Sequence, residues 1–201
     1  MIKRALLLID IQNDFMPGGA LAVPEGDKIV DFVNTMIITS YGFGTEVVAT
    51  MDWHPADHGS FASQHGVAPF TMGELGGKPQ MMWTDHCVQG TKGAELHADL
   101  ITPKTTVYKG MDKTVDSYSG FFDNNKQNDT GLNNFLKERE ITDLFIMGLA
   151  TEYCVKFTAL DAAALGYDVT VSLNGCRGLN PTDIDNAIKE MRDVGIKILG
   201  Y

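Results

Sequence analysis

The sequence predicts an α/β protein built on a doubly wound, six-stranded, mostly parallel sheet with helices on both faces. Three observations carry this. Six short strand-like segments recur along the chain, several of them unbroken apolar runs of the kind a strand covered on both faces needs. Helical patterns separate most of them, the βα alternation of a parallel sheet. Gly166 and Gly195 stand where two of those helices should stop and turn into the next strand.

In chain order, Ala5–Ile11 reads as the first strand, Asp27–Thr39 as a helix and Glu46–Met51 as the second strand. Thr105–Lys109 is the third strand, Thr130–Glu140 a helix and Leu144–Leu149 the fourth strand. A helix is expected over Thr151–Gly166, with Val155, Leu160, Ala163 and Ala164 on its packed face. Asp168–Leu173 follows as the fifth strand. The helix Thr182–Val194 has Asn180 as its N-cap and Pro181 at its first position. Ile196–Leu199 is the last strand, and the chain stops soon after at Tyr201, which leaves no extension to cover a site. From about residue 53 to 103 the rhythm breaks into a Gly-, His- and Pro-rich stretch without a period. A loop of that length in a compact domain is usually functional. No repeat, low-complexity tract or composition shift marks a boundary, so residues 1–201 are expected to form one domain.

Composition narrows the function. At 201 residues the chain can bury a full core, and 44% hydrophobic with 21% charged residues is ordinary for a soluble protein. A formal net charge of −10, with no basic patch, argues against nucleic acid as a partner. No apolar run approaches the ~20 residues of a membrane span. The N-terminus is too short and too soon interrupted for a signal peptide. Three cysteines without an export signal point to reduced thiols and a cytoplasmic location. Monomer and homo-oligomer both remain open.

In a doubly wound sheet the reactive loops lie beyond the C-terminal strand ends, which places Asp10, Asp52, Lys109 and Ala150 on one rim. Cys154 falls in the first turn of a helix, where unpaired N–H groups and the helix dipole favour a thiolate. A buried cysteine can equally be a small core hydrophobe. Asp10, near the end of an apolar strand, must be paired or working. Lys109 closes another strand. Together the three offer an activated nucleophile: a carboxylate to take the thiol proton and an ammonium to stabilise the anion. A second group is Asp52-Trp-His54 with Thr84-Asp-His86. Residues two apart on a strand face the same side, so Asp52 and His54 can reach one ion, and His86 can complete the set. Two His and a carboxylate with open positions suit zinc, iron or manganese. His58, His65 and His97 are further candidates, with His58 the best placed as an extra ligand or outer-shell partner.

These residues sit in Asp10-Ile-Gln-Asn-Asp-Phe-Met-Pro-Gly-Gly-Ala-Leu-Ala-Val23, Asp52-Trp-His-Pro, His58-Gly-Ser-Phe-Ala62, Trp83-Thr-Asp-His-Cys-Val-Gln89, Lys109-Gly, Asp116-Ser-Tyr-Ser119 and Gly148-Leu-Ala-Thr-Glu-Tyr-Cys154. On these motifs, spread over nearly the whole chain, the sequence resembles the nicotinamidases, amidases of the isochorismatase-like hydrolase superfamily. The resemblance implies a catalytic triad of Asp10, Lys109 and Cys154, and an oxyanion hole from the N–H groups of Ala150 and Cys154. It also implies a cis peptide just before Ala150. One divalent ion, zinc ahead of iron or manganese, is expected on Asp52, His54 and His86. Phe15, Trp83 and Tyr118 are expected as aromatic walls of the substrate pocket, with Leu21, Leu149 and Tyr153 nearby. The implied reaction is hydrolysis of nicotinamide to nicotinate and ammonia through a cysteine thioester, a step in NAD salvage, with pyrazinamide as a second substrate. Thr84 departs from the proline common at this place, which suggests a looser loop before His86. Cys87 and Cys176 are expected to be structural, with Cys87 the nearer to the site. The nearest alternative is an N-carbamoyl amidase of the same superfamily, which shares the triad but has no ring nitrogen to present to a metal. A non-catalytic scaffold would predict a damaged triad.

Overall fold

The computed structural model describes residues 3–200; Tyr201, where the final segment was expected to end, lies outside the described residues, as do Met1 and Ile2. The elements are β1 (Arg4–Ile9), α1 (Val30–Gly42), β2 (Glu46–Asp52), β3 (Thr71–Leu75), β4 (Lys78–Met82), β5 (Thr105–Lys109) and α2 (Leu132–Glu138). They continue with β6 (Asp143–Leu149), α3 (Lys156–Ala164), β7 (Asp168–Arg177), α4 (Pro181–Asp193) and β8 (Lys197–Leu199). Six strands form the central sheet in the order β5-β2-β1-β6-β7-β8. Every neighbouring pair in it is parallel, so the sheet is wholly parallel among the described residues. The chain winds outward from β1 in one direction and from β6 in the other. A crevice therefore opens beyond the C-terminal ends of these two strands.

The core explains the strand choice. Leu6, Leu7, Leu8 and Ile9 are each at most 1% exposed, because helices cover both faces of β1. Burying each such side chain contributes roughly 1.5–3 kcal/mol relative to leaving it in water. β1 ends two residues earlier than expected, because Asp10 turns into the left-handed region at φ 50° and cannot continue the ladder. β7 runs past Leu173 to Arg177, through a register shift: Ile146 pairs with Val171, but Gly148 pairs with Cys176. Gly148 has φ +137°, and a Cβ there would lie 2.1 Å from the Ile9 carbonyl oxygen, so only glycine lets β6 pass β1 this closely. The peptide bond between Leu149 and Ala150 is cis.

Helix ends follow the local chemistry. Asn180 Oδ1 accepts from the N–H groups of Thr182 (2.9 Å) and Asp183 (3.3 Å), and Pro181 opens α4. Gly166 and Gly195 take positive φ after α3 and α4. The face of α3 differs from expectation. Val155, Thr158, Ala159 and Ala162, with Asp161 beside them, are the buried set, while Leu160 and Ala163 are half-buried and Ala164 is exposed. The buried set has regular i, i+3, i+4, i+7 spacing, with small residues that let the helix approach closely. Choosing the larger apolar residue, Leu160, misplaced the stripe.

The long loop also holds more order than its pattern suggested. β3 and β4 form an antiparallel hairpin closed by Gly76-Gly77, both at positive φ. Thr71 and Met72 are exposed, so no alternating burial signalled the strand. Bridges His54–Val88 and Phe61–Trp83 lash this region to the rim of the sheet. No described helix is long and apolar enough to cross a membrane.

Candidate active site

Four adjacent strand ends deliver the site. Asp52 and Lys109 are direct neighbours across β2 and β5, and Ile9 pairs with Thr50 across β1 and β2. The left-handed turn at Asp10 keeps its carboxylate at this rim, where Oδ1 accepts from the Thr50 hydroxyl at 2.6 Å. Lys109, only 2% exposed, stretches its ammonium into the centre. Nζ lies 2.9 Å from Asp10 Oδ2, 2.5 Å from Asp52 Oδ1, 2.9 Å from the Ser117 carbonyl and 3.4 Å from Cys154 Sγ. Asp10, Lys109 and Cys154 are thus brought together as expected, with Asp52 as a fourth member.

Charge within this group is unequally shared. Burial works against the Lys109 cation, but the facing Asp10 and Asp52 carboxylates prevail and hold its pKa well above the ordinary lysine value. Asp52 resists burial because Lys109 and then His54 hold it well below the usual carboxylate range. Asp10 goes the other way: burial, aided by Asp52, outweighs Lys109 and raises it. Apart from its ion pair with Lys109, Asp10 Oδ2 has no hydrogen-bond partner. It is the carboxylate oxygen free to take a proton, and the Asp10 carboxylate comes within 4.8 Å of Cys154 Sγ.

Cys154 corrects one expectation. It lies not in a regular first helical turn but in a π-type turn, Thr151–Val155, in which the Val155 N–H reaches Ala150 O at 3.2 Å. Burial and the Asp10 and Asp52 charges raise the thiol well above its ordinary value, and Lys109 does not offset them. The resting group is a thiol beside its base rather than a standing thiolate. Alkylation of Cys154 by iodoacetamide in metal-free protein is therefore expected to keep accelerating beyond pH 9, the ordinary thiol value. A rate that levels off near neutral pH would contradict this ionisation. Burial also raises Cys176 to about 12 and Cys87 well above the ordinary thiol value, so the alkylated residue is identified by peptide mass.

The second cluster lies alongside. His54 Nδ1 donates to Gly110 O and His86 Nδ1 donates to Thr84 O, both at 2.8 Å. Each bond fixes the tautomer, so the Nε2 lone pairs of both rings face Asp52 Oδ2, at 3.7 and 3.8 Å. Three buried groups that can each offer a lone pair converge in a donor set suited to a divalent cation, and their ligand atoms lie within 4.8 Å of one another. The same field acts on His54 itself: burial lowers its pKa, but Asp52 outweighs burial and raises it. His58 stands against His54, with ring centroids 4.3 Å apart, and groups with His54 and Asp116 rather than with Asp52. Its Nδ1 accepts from the Ser60 hydroxyl and N–H, and burial together with His54 lowers its pKa to about 4. His65 bonds to the Gly59 carbonyl and His97 to the Asp99 N–H, both outside these clusters. Thr84 does not leave its loop loose. Its hydroxyl donates to Ala20 O at 2.8 Å while its carbonyl fixes His86.

A cleft opens over both groups. Phe15, Leu21, Trp83, Tyr118 and Tyr153, expected around the substrate, line it together with Ala150, and Cys154, Asp52 and His86 are among its polar lining. Leu149 does not reach it; this side chain is fully buried, against Gly26. Val23, Asp116 and Leu179 complete the wall and were not singled out from sequence. Asp116 belonged to a quoted motif and could have been found. Leu179 carries no such signal, and is placed by Glu152, whose Oε1 accepts the Leu179 and Asn180 N–H groups at 2.7 and 2.9 Å. Gln80 Nε2 donates to both Asp116 Oδ2 (2.8 Å) and Tyr118 OH (2.9 Å), fixing the tyrosine ring at the cleft. The arrangement can hold a flat apolar ring and present a nucleophilic sulfur with a proton acceptor to a group attached to it.

Comparison with known proteins agrees with this chemistry. The isochorismatase domain family matches residues 4–200. A nicotinamidase of Escherichia coli K12 is 54% identical over 200 residues, covering 97% of this chain and 93% of the other. The crystal structure of a nicotinamidase and pyrazinamidase from Acinetobacter baumanii superposes with a TM-score of 0.93 at 38% identity, covering 99% and 96% of the two chains. A pyrazinamidase of Pyrococcus horikoshii, solved in complex with zinc, gives 0.83 at 38% identity, with 99% of each chain covered. The chain belongs to the nicotinamidase/pyrazinamidase family of the isochorismatase-like superfamily and is a nicotinamidase-like hydrolase.

Proposed function

We propose that this protein hydrolyses nicotinamide to nicotinate and ammonia through a thioester on Cys154, as a step in NAD salvage. The observation that carries the proposal is one cleft lined by Cys154, which Lys109 and Asp10 back from beneath, and by Asp52 and His86 of the converging metal-ligating set. Asp10 takes the Cys154 proton as Sγ attacks the carboxamide carbon. The N–H groups of Ala150 and Cys154 receive the developing oxyanion, an effect worth ~3–4 kcal/mol per donor in comparable sites. Asp10 returns its proton to the leaving nitrogen, and ammonia departs. A water then attacks the thioester with Asp10 again as base. Lys109 stays protonated throughout and steadies the charge passing between Asp10 and sulfur.

Phe15, Trp83, Tyr118 and Tyr153 hold the ring, with Leu21 beside them. Asp52, His54 and His86 would hold a divalent ion, zinc ahead of iron or manganese, which would supply a ligand position for the pyridine nitrogen and so fix the ring. The zinc in the Pyrococcus horikoshii relative supports that order.

The reading is tested by ammonia release from nicotinamide, pyrazinamide and benzamide, each with and without chelator. The first two should turn over and lose rate on chelation, while benzamide, lacking a ring nitrogen, should be poor from the start. No ammonia from nicotinamide would remove the proposal; benzamide turned over as well as nicotinamide would remove the ring-nitrogen role.

A further inference from the structure

The motif Asp10-Ile-Gln-Asn-Asp14 gives only its first carboxylate to the chemistry described above. Two of its other three polar side chains, those of Gln12 and Asp14, are tied to the metal-ligating residues. Gln12 is completely buried, and its amide grips Asp52 by the main chain on both sides. Oε1 accepts the Asp52 N–H at 2.9 Å, and Nε2 donates to the Asp52 carbonyl at 2.8 Å. The second Nε2 hydrogen goes to Ala94 O, also at 2.8 Å. Where the main chain of β1 leaves the sheet at Asp10, the Gln12 side chain takes over as the partner of the last residue of β2.

Asp14 acts on the opposite ligand. Its Oδ2 accepts the Cys87 N–H at 2.7 Å, which holds the peptide directly after His86. Cys87 is in the left-handed region at φ 46°, and its carbonyl accepts the His54 N–H at 3.0 Å. The carboxylate lies so close over Gly93 that a Cβ there would be 2.2 Å from Oδ2. Oδ1 receives the Ala20 N–H at 3.3 Å.

We propose that Gln12 and Asp14 are positioning residues for the metal-ligating set, Gln12 fixing Asp52 and Asp14 fixing His86, so that one short motif sets the gap between carboxylate and imidazole. This rests on the metal assignment above. Partners that orient ligands typically change metal affinity by ten- to a hundredfold when removed.

The test is the affinity of folded protein for Zn²⁺, measured by competition with a chromophoric chelator. Asp14→Ala should weaken zinc binding at least tenfold. Asp14→Asn removes the same charge but keeps an oxygen for the Cys87 N–H, so it should stay within about threefold of wild type. Gln12→Glu, which puts an acceptor against the Asp52 carbonyl, should also lose at least tenfold. Leu144→Ala, in the core at the far end of β6, should lower the melting temperature without moving zinc affinity. Should Gln12→Glu fail to fold, the half-buried Asp14 pair alone decides. Equal losses in Asp14→Ala and Asp14→Asn would reduce the effect to charge and overturn the proposal. Wild-type affinity in all folded variants would overturn it too. Wild-type protein that binds no zinc would overturn it together with the metal assignment, a result distinct from the other two.

Discussion

Cys154→Ala is expected to lower ammonia release from nicotinamide by about 10⁴-fold or more, the scale seen when a nucleophile is removed from a catalytic set that works as a unit. Cys154 Sγ is the one thiol lining the cleft, since Cys87 and Cys176 are buried outside it. No neighbouring group can replace it. Lys109 is saturated by Asp10, Asp52 and Ser117, and Asp10 is completely buried beneath the cleft. The fold should survive, because alanine removes one buried atom whose ionised form the site disfavours. Steady-state ammonia assays beside a thermal melt check both halves. Turnover above a hundredth of wild type in a folded variant would sink the thioester route.

Lys109→Met carries the largest expected stability effect. Methionine fills much of the same space but leaves Asp10 and Asp52, at 0% and 4% exposure, facing each other without a cation. Breaking a buried pair from one side costs about 3–5 kcal/mol. In a domain of this size that corresponds to a fall of roughly 10 °C in melting temperature. The pH dependence has a definite sign. In the wild type the raised Lys109 pKa contributes stability that is complete below about 10.5 and is lost as pH rises through the folded value. The lowered Asp52 contributes stability present above about 3.8 and lost as pH falls below it. Without Lys109 both carboxylates shift upward, so the folded variant binds protons more readily than the unfolded chain. Its deficit should therefore shrink as pH falls. Melts of metal-free protein at pH 8 and pH 5 measure this; a deficit that grows toward pH 5 would refute the ion-pair account.

Much of this architecture was legible before any coordinates. The sheet could be read because β1 and β6 are buried on both faces, which leaves unbroken apolar runs in the sequence. The reactive rim could be read because Asp10, at the margin of the β1 run, and Lys109, closing β5, are charges with no business there unless paired. What the pattern did not show has physical reasons. The β3–β4 hairpin has a largely exposed strand, so burial imposed no alternation, although Gly76-Gly77 was a turn signal. The face of α3 follows close approach rather than side-chain size. Leu179 reaches the cleft only because Glu152 holds its N–H, a contact between segments 27 residues apart. The protonation of Cys154 depends on distances among strand ends, which no linear pattern contains. Leu149 was placed near the pocket by the resemblance, but consecutive residues at a strand end point to opposite sides, and its neighbour Ala150 takes the place at the cleft.

The order of strands has a bearing on how the protein comes to work at all. Asp10 follows the first strand and Cys154 the fourth strand of the sheet, yet these strands are paired directly, Ile9 opposite Gly148. The proton acceptor is synthesised early and must wait for most of the polypeptide before its partner exists. Parallel pairing across so long a stretch of sequence is a slow, late-closing contact in folding. On the proposed mechanism, a nascent or clipped molecule that has built only the β5-β2-β1 half holds Asp10 and Lys109 but lacks the sulfur they would activate.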